Sequence, residues 1–77
     1  MREFPSSSAI ERADYRAGER TLDIWYRGGD RYRYFDVPEA VYEGLCSAPS
    51  AGEFVNTYIK LLYRHEIEAR RRRFRPD

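Results

Sequence analysis

From Thr21 to Tyr34 apolar and polar residues alternate with one interruption. Leu22, Ile24 and Tyr26 take every second position against Thr21, Asp23 and Trp25. After Gly28-Gly29 the alternation resumes as Arg31-Tyr32-Arg33-Tyr34. Successive strand side chains point to opposite faces of a sheet, so this period of two predicts two half-buried strands, Thr21 to Arg27 and Arg31 to Phe35, joined by a glycine turn. Upstream, Ile10, Ala13 and Tyr15 mark a further strand over residues 9–15. The spacing from Ile10 to Ala13 breaks strict alternation and predicts a bulge. Residues 16–20, with Gly18, read as the turn that follows. Met1 to Ser8 is polar, with Pro5 and three serines, and is expected to be frayed or extended.

The period changes after Val37. Pro38 suits the first position of a helix, where its missing N–H donor costs nothing, and Val41, Tyr42, Leu45 and Cys46 recur at helical spacing. Ala48-Pro49 closes that helix, because the residue before a proline avoids the helical region. Ser50-Ala51-Gly52-Glu53 is a capping box that opens a second helix. That helix is predicted to bury Val55, Tyr58, Ile59 and Leu62, with Phe54 and Leu61 at the flanks and Asn56, Thr57 and Lys60 outward. Past Tyr63 the apolar residues thin out. Glu66–Arg70 and Glu68–Arg72 stand four apart with the acid first, the better orientation on a helix, so helical continuation that frays before Pro76 is expected. The predicted fold is α+β: a three-stranded antiparallel sheet followed by two helices packed on one face, in the order βββαα. The expected organisation is a flexible N-terminus over residues 1–7, one domain over 8–63 and a basic, helical C-terminal extension over 64–77.

The length of the glycine turn decides what each sheet face carries, since directly opposed residues share a face. A two-residue loop at Gly28-Gly29 would set Arg31 and Arg33 among Leu22, Ile24 and Tyr26, a costly burial of charge in a small core. A three-residue loop over 28–30 pairs Tyr26 with Tyr32 and Ile24 with Tyr34. Leu22, Ile24, Tyr26, Tyr32 and Tyr34 then make one apolar face, and Trp25, Arg27, Arg31 and Arg33 fall on the other. The second arrangement is the expected one.

At 77 residues the chain is one domain near the lower size limit for independent folding. Cys46 is the only cysteine, which excludes an intramolecular disulfide and a cysteine-based metal site. Seven tyrosines and one tryptophan are the main source of core area. No stretch approaches the ~20 apolar residues of a membrane span, and no secretory leader is evident. The expectation is a cytoplasmic monomer without membrane association or cofactor. The net charge of +1 conceals an asymmetry. Residues 64–77 hold six arginines against three acids, whereas residues 1–63 hold eight basic and ten acidic side chains. Basic character is thus concentrated in the tail.

Cys46 and His65 are single and distant in sequence, and no acid, oxyanion donor or glycine-rich phosphate loop accompanies them. The chain is therefore read as a non-enzyme. Cys46 on an apolar helix face reads as a buried thiol, and Ser50 is explained by capping.

These residues, taken in order, form a known pattern. It comprises Ser7-Ser8 with Ile10 and Tyr15, then Leu22, Ile24, Tyr26 and Gly29, then the central Tyr32-Arg33-Tyr34. It continues through Val37-Pro38, Val41, Tyr42 and Leu45 and closes with Ala48-Pro49-Ser50, Gly52, Phe54, Asn56, Ile59 and Tyr63. Over residues 7–63 the chain resembles the KTSC domain, found at the C-terminus of some lysyl-tRNA synthetases and as a small stand-alone bacterial protein. Ala13, where a larger apolar residue is usual, and the Arg70–Arg73 tail depart from the pattern. The resemblance implies structural roles for Tyr32, Tyr34, Val37, Pro38, Ser50 and Gly52. The family has no established function, and RNA binding is implied only by analogy with the synthetases.

Two expectations for function follow. Trp25 could stack on a base while Arg27, Arg31 and Arg33, with Arg70, Arg71, Arg72 and Arg73, contact phosphates, giving weak binding of RNA or single-stranded nucleic acid. Alternatively the domain is a protein-interaction module whose partner docks on the open sheet face, on a sheet edge or on the C-terminal extension. Nucleic-acid binding is the leading expectation, and the slightly acidic body supports the alternative.

Overall fold

The computed structural model describes residues 1–68. Its elements are β1 (Arg2–Glu3), β2 (Ile10–Arg16), β3 (Thr21–Tyr26), β4 (Arg31–Tyr34), α1 (Glu39–Ser47), α2 (Ala51–Tyr58) and β5 (His65–Glu68). The strands form one antiparallel sheet in the order β1-β2-β3-β4-β5. The α+β class and the two adjacent helices agree with the sequence reading, but the sheet has five strands rather than three.

Both added strands lie at the edges. Arg2 pairs with Ala13 and Glu3 with Arg12, so the N-terminus is extended, one of its two expected states, and pairs with the sheet. At the other end, residues 65–68 extend along β4, with Arg31 opposite Glu68 and Arg33 opposite Glu66. This overturns the expected helix there. Phe35 N donates to the carbonyl of Arg64 at 2.9 Å and leads the chain into β5. Glu66 and Glu68 thus face arginines more than thirty positions earlier in the chain.

The predicted bulge is present: the β2–β3 register shifts between Ile10 and Arg12, which turns both Ile10 and Ala13 inward. Ser7 Oγ sets the entry to β2 by accepting from the amides of Ala9 (3.1 Å) and Ile10 (3.0 Å). The β3–β4 loop is odd, as expected, but centred one residue earlier. Tyr26 N donates to Asp30 O at 3.2 Å, and Gly28 adopts a φ of 73°, the left-handed region that glycine enters freely. Leu22 therefore faces Tyr34, and Ile24 faces Tyr32. This is two residues from the anticipated register, which leaves each side chain on its predicted face.

That face carries the core. Ile10, Ala13, Leu22, Ile24 and Tyr34 cluster with Val37 and with Leu45, Ala51, Val55 and Ile59 from the helices, so both helices cover one side of the sheet. Pro38 takes the N-cap of α1 rather than its first turn. Ser50 caps α2, its Oγ accepting from Glu53 N at 3.3 Å. Because α2 ends at Tyr58, its apolar stripe is shorter than predicted: Val55 and Ile59 are buried, whereas Tyr58 and Leu62 are exposed. Tyr15 joins sheet to helix layer. Its hydroxyl donates to Val37 O at 2.6 Å, and its ring stacks on Tyr42 with centroids 5.3 Å apart. Burial, then the contact with Cys46, pushes the Tyr42 phenol up to about 12. Cys46 itself is half-buried rather than enclosed.

Candidate functional site: the arginine face of the sheet

The face away from the helices is built from alternate positions of all five strands. Strand pairing sets Glu3, Arg12, Trp25, Arg31 and Glu68 in one row across it. The next row is Asp14, Asp23, Arg33 and Glu66. Opposite charges meet at both ends of the first row and along Asp23, Arg33 and Glu66 in the second, and each row ends at β5 on a glutamate.

Asp23 organises the centre. Only 2% of its side chain is exposed, and three guanidinium groups surround it. Arg33 donates Nε to Oδ1 at 2.8 Å and Nη2 to Oδ2 at 3.1 Å, the bidentate geometry that matches a guanidinium to a carboxylate. Hydrogen bonding to Asp23 raises the Arg33 pKa further above its ordinary value. Arg31 Nη1 and Arg16 Nη2 approach Oδ2 at 3.8 and 4.0 Å. Arg31 also pairs with Glu68 through Nη2. Asp14, directly opposite Asp23 and of like charge, lies 3.5 Å from the N-terminal ammonium.

Trp25 is half-buried between two cations. Arg12 sits over its ring at 4.6 Å from the centroid and Arg31 at 5.9 Å. Such cation–π contacts each contribute ~0.5–1 kcal/mol at accessible sites. The Nε atoms of both arginines are buried there without a hydrogen-bond partner. Arg27 is engaged elsewhere: its guanidinium donates to the carbonyls of Ser7 (2.9 Å), Phe4 (2.9 Å) and Ile10 (3.2 Å), holding the N-terminal loop against β3.

The structure thus brings Trp25, Arg31 and Arg33 together and separates Arg27 from them by function. Arg70, Arg71, Arg72 and Arg73 lie outside the described residues. Sequence reasoning missed Arg12, Asp23, Glu66 and Glu68 as members of this face. Alternation already placed Asp23 beside Trp25, but only the two-residue difference in register sets it opposite Arg33.

Of the motif tyrosines, Tyr34 is fully buried and Tyr32 half-buried. Tyr34 Oη shares a 2.9 Å hydrogen bond with Tyr26 Oη, and burial raises both phenols above their usual range. Tyr32 stacks on His65 at 5.4 Å, a contact that exists because residue 65 is in a strand. Val37 is buried, and Gly52 approaches Ala9 so closely that an added Cβ would stand 3.0 Å from that side chain. Among the described residues no three of His, Cys, Asp and Glu gather to hold a metal ion, and no helix is long and apolar enough to cross a membrane.

Sheet, helix pair and charge-paired outer face define a small α+β module of about one core layer. The KTSC domain model matches residues 6–63, and the chain belongs to the KTSC domain family. A protein of Tsukamurella paurometabola is 43% identical over 58 residues, covering 75% of this chain and 87% of that protein. A lysine–tRNA ligase of Nostoc punctiforme is 39% identical over 62 residues. This match takes in 80% of the chain but only 11% of the ligase. The crystal structure of a KTSC domain protein from Yersinia pestis superposes with a TM-score of 0.82 at 32% identity, covering 88% of this chain and 96% of that one. The family match ends at residue 63, before β5 begins.

Proposed function

We propose that this domain is a protein-interaction module. The observation that carries the reading is the internal charge compensation of the sheet face. Arg33 and Arg31 hold Asp23 and Glu68, and Arg27 holds three backbone carbonyls. Phosphate binding requires cations whose counterions can be released, and these are already partnered within the fold. Apolar surface is available instead. Tyr58 at the end of α2, Leu61 and Leu62 in the link that follows and Ile67 in β5 are all exposed, Leu61 at 89%. Large exposed apolar side chains close together in the sequence favour contact with another protein.

A second reading is supported by the similarity to part of a lysine–tRNA ligase. In it, Trp25, Arg27, Arg31 and Arg33, with Arg70–Arg73, contact RNA or single-stranded nucleic acid weakly. NMR titration of the labelled protein with a pool of short RNAs separates the two. The interaction reading expects no shifts at Trp25, Arg31 and Arg33 at physiological salt, together with partner capture that survives nuclease. Shifts centred on those three residues that persist at that salt would overturn it.

A further inference from the structure

β5 has β4 along one edge and no strand along the other among the described residues. All four of its residues are exposed. Glu66 and Glu68 stand on the arginine face opposite Arg33 and Arg31, while His65 and Ile67 stand on the helix face opposite Tyr34 and Tyr32. Reading outward from β4, each arginine meets a glutamate and Tyr32 meets Ile67, and there the described pattern stops. The position beyond β5 is therefore specified chemically. A base is wanted opposite each glutamate, and an apolar side chain between them to cover Ile67, which is 53% exposed. Glu68 already binds Arg31, but a carboxylate has acceptor capacity for a second cation. The inner edge of β5 displays the complement it accepts, Arg31-Tyr32-Arg33.

We propose that the outer edge of β5 takes an extended segment of a partner protein as a sixth strand, and that this segment has the pattern basic–apolar–basic. The proposal rests on the protein-interaction reading and adds the edge and the partner's chemistry to it. Main-chain hydrogen bonds supply affinity in such strand addition, and the alternating side chains supply selection. Two cross-strand charge pairs and one apolar pair are enough to separate a matched from a mismatched segment by about tenfold.

The test is an NMR titration of the full-length protein with short acetylated peptides centred on Arg-Val-Arg, with Glu-Val-Glu as the control. The expected result is amide shifts at His65–Glu68 with the first peptide and about tenfold weaker binding of the second. In the Glu66→Lys/Glu68→Lys protein the preference should reverse. Should that variant lose its fold, Glu66→Gln/Glu68→Gln must still erase the preference. Absence of β5 shifts with either peptide overturns the proposal. Two further outcomes also overturn it by naming another occupant. One is peptide binding that appears only in the full-length Arg73→Glu/Arg75→Glu variant, which assigns the edge to the chain's own Arg73-Phe74-Arg75. The other is concentration-dependent dimerisation lost in Glu66→Lys/Glu68→Lys, which assigns it to a second copy. Nuclease-resistant partner capture that is unaffected by Glu66→Lys/Glu68→Lys sinks the edge alone. Capture abolished by nuclease sinks the interaction reading itself.

Discussion

Arg33 clasps Asp23 through two parallel hydrogen bonds, Nε to Oδ1 at 2.8 Å and Nη2 to Oδ2 at 3.1 Å, across the middle of a sheet face. The pair stands where an exposed cationic site was expected from alternation alone. The pairing commits Arg33 to a structural contact, because a carboxylate this buried needs its partners. Asp23→Ala should therefore leave Arg33, Arg31 and Arg16 mutually repelling and cost about 2–4 kcal/mol, discounted from a fully buried pair because Arg33 remains partly exposed. Urea unfolding of Asp23→Ala, Arg33→Ala and the double variant would measure the coupling. A double variant no more stable than the sum of the singles would show that the two side chains act independently.

Arg27 serves the N-terminal loop. Three carbonyls converge on its planar guanidinium, a geometry that a lysine ammonium cannot reproduce. Arg27→Lys keeps the charge and should lose about 1–2 kcal/mol. Amide exchange should accelerate at residues 4–10 and stay unchanged in β4. Wild-type protection of that loop in the variant would mean that Arg27 is not its anchor.

Gly44 sits inside α1, where alanine would ordinarily add about 1 kcal/mol of helix propensity. A Cβ there would stand 2.8 Å from Phe54 Cζ, and the Phe54 ring is itself packed against Tyr58. Gly44→Ala should thus destabilise by about 1–2 kcal/mol despite the propensity gain. Adding Phe54→Leu should recover part of the loss in thermal unfolding. A stabilised Gly44→Ala protein would show that the helices separate freely at this contact.

Burial of the hydrogen-bonded Tyr26 and Tyr34 phenols makes stability sensitive to alkali. Burial, and for Tyr26 also the bond to Tyr34, holds both phenols above their ordinary 10.0 in the folded state. A raised folded pKa means that the native state binds protons more tightly than the unfolded chain. Its contribution is complete below about pH 10 and declines as pH rises beyond that. Stability measured by urea should fall above about pH 10 and fall less steeply in Tyr26→Phe/Tyr34→Phe. Equal slopes for the two proteins would exclude these phenols as the source.

Much of the sheet's facing was legible from the chain. Alternation assigned Leu22, Ile24, Tyr26, Tyr32 and Tyr34 to one side and Trp25, Arg31 and Arg33 to the other. The cost of burying arginine selected an odd loop, and the break between Ile10 and Ala13 announced the bulge. Each of these signals is local, arising from strand periodicity or from a few residues around a turn. The Ser50 cap and the end of α1 before Pro49 are local in the same sense.

Tertiary structure alone decided the rest. Glu66, Ile67 and Glu68 alternate as a strand does, but they also fit a helix through their spacing to Arg70 and Arg72, and local propensity does not choose between these. The choice came from Arg31, Tyr32 and Arg33, whose unpaired edge offers those residues backbone hydrogen bonds and opposite charges from across the sheet. The same non-local pairing closed the arginine face. A shift of two in the β3–β4 register keeps every side chain on its side, so periodicity cannot detect it, yet it sets Asp23 against Arg33 instead of Phe35. Which face a residue occupies is a property of its own strand; which residue neutralises it is a property of the strand next door.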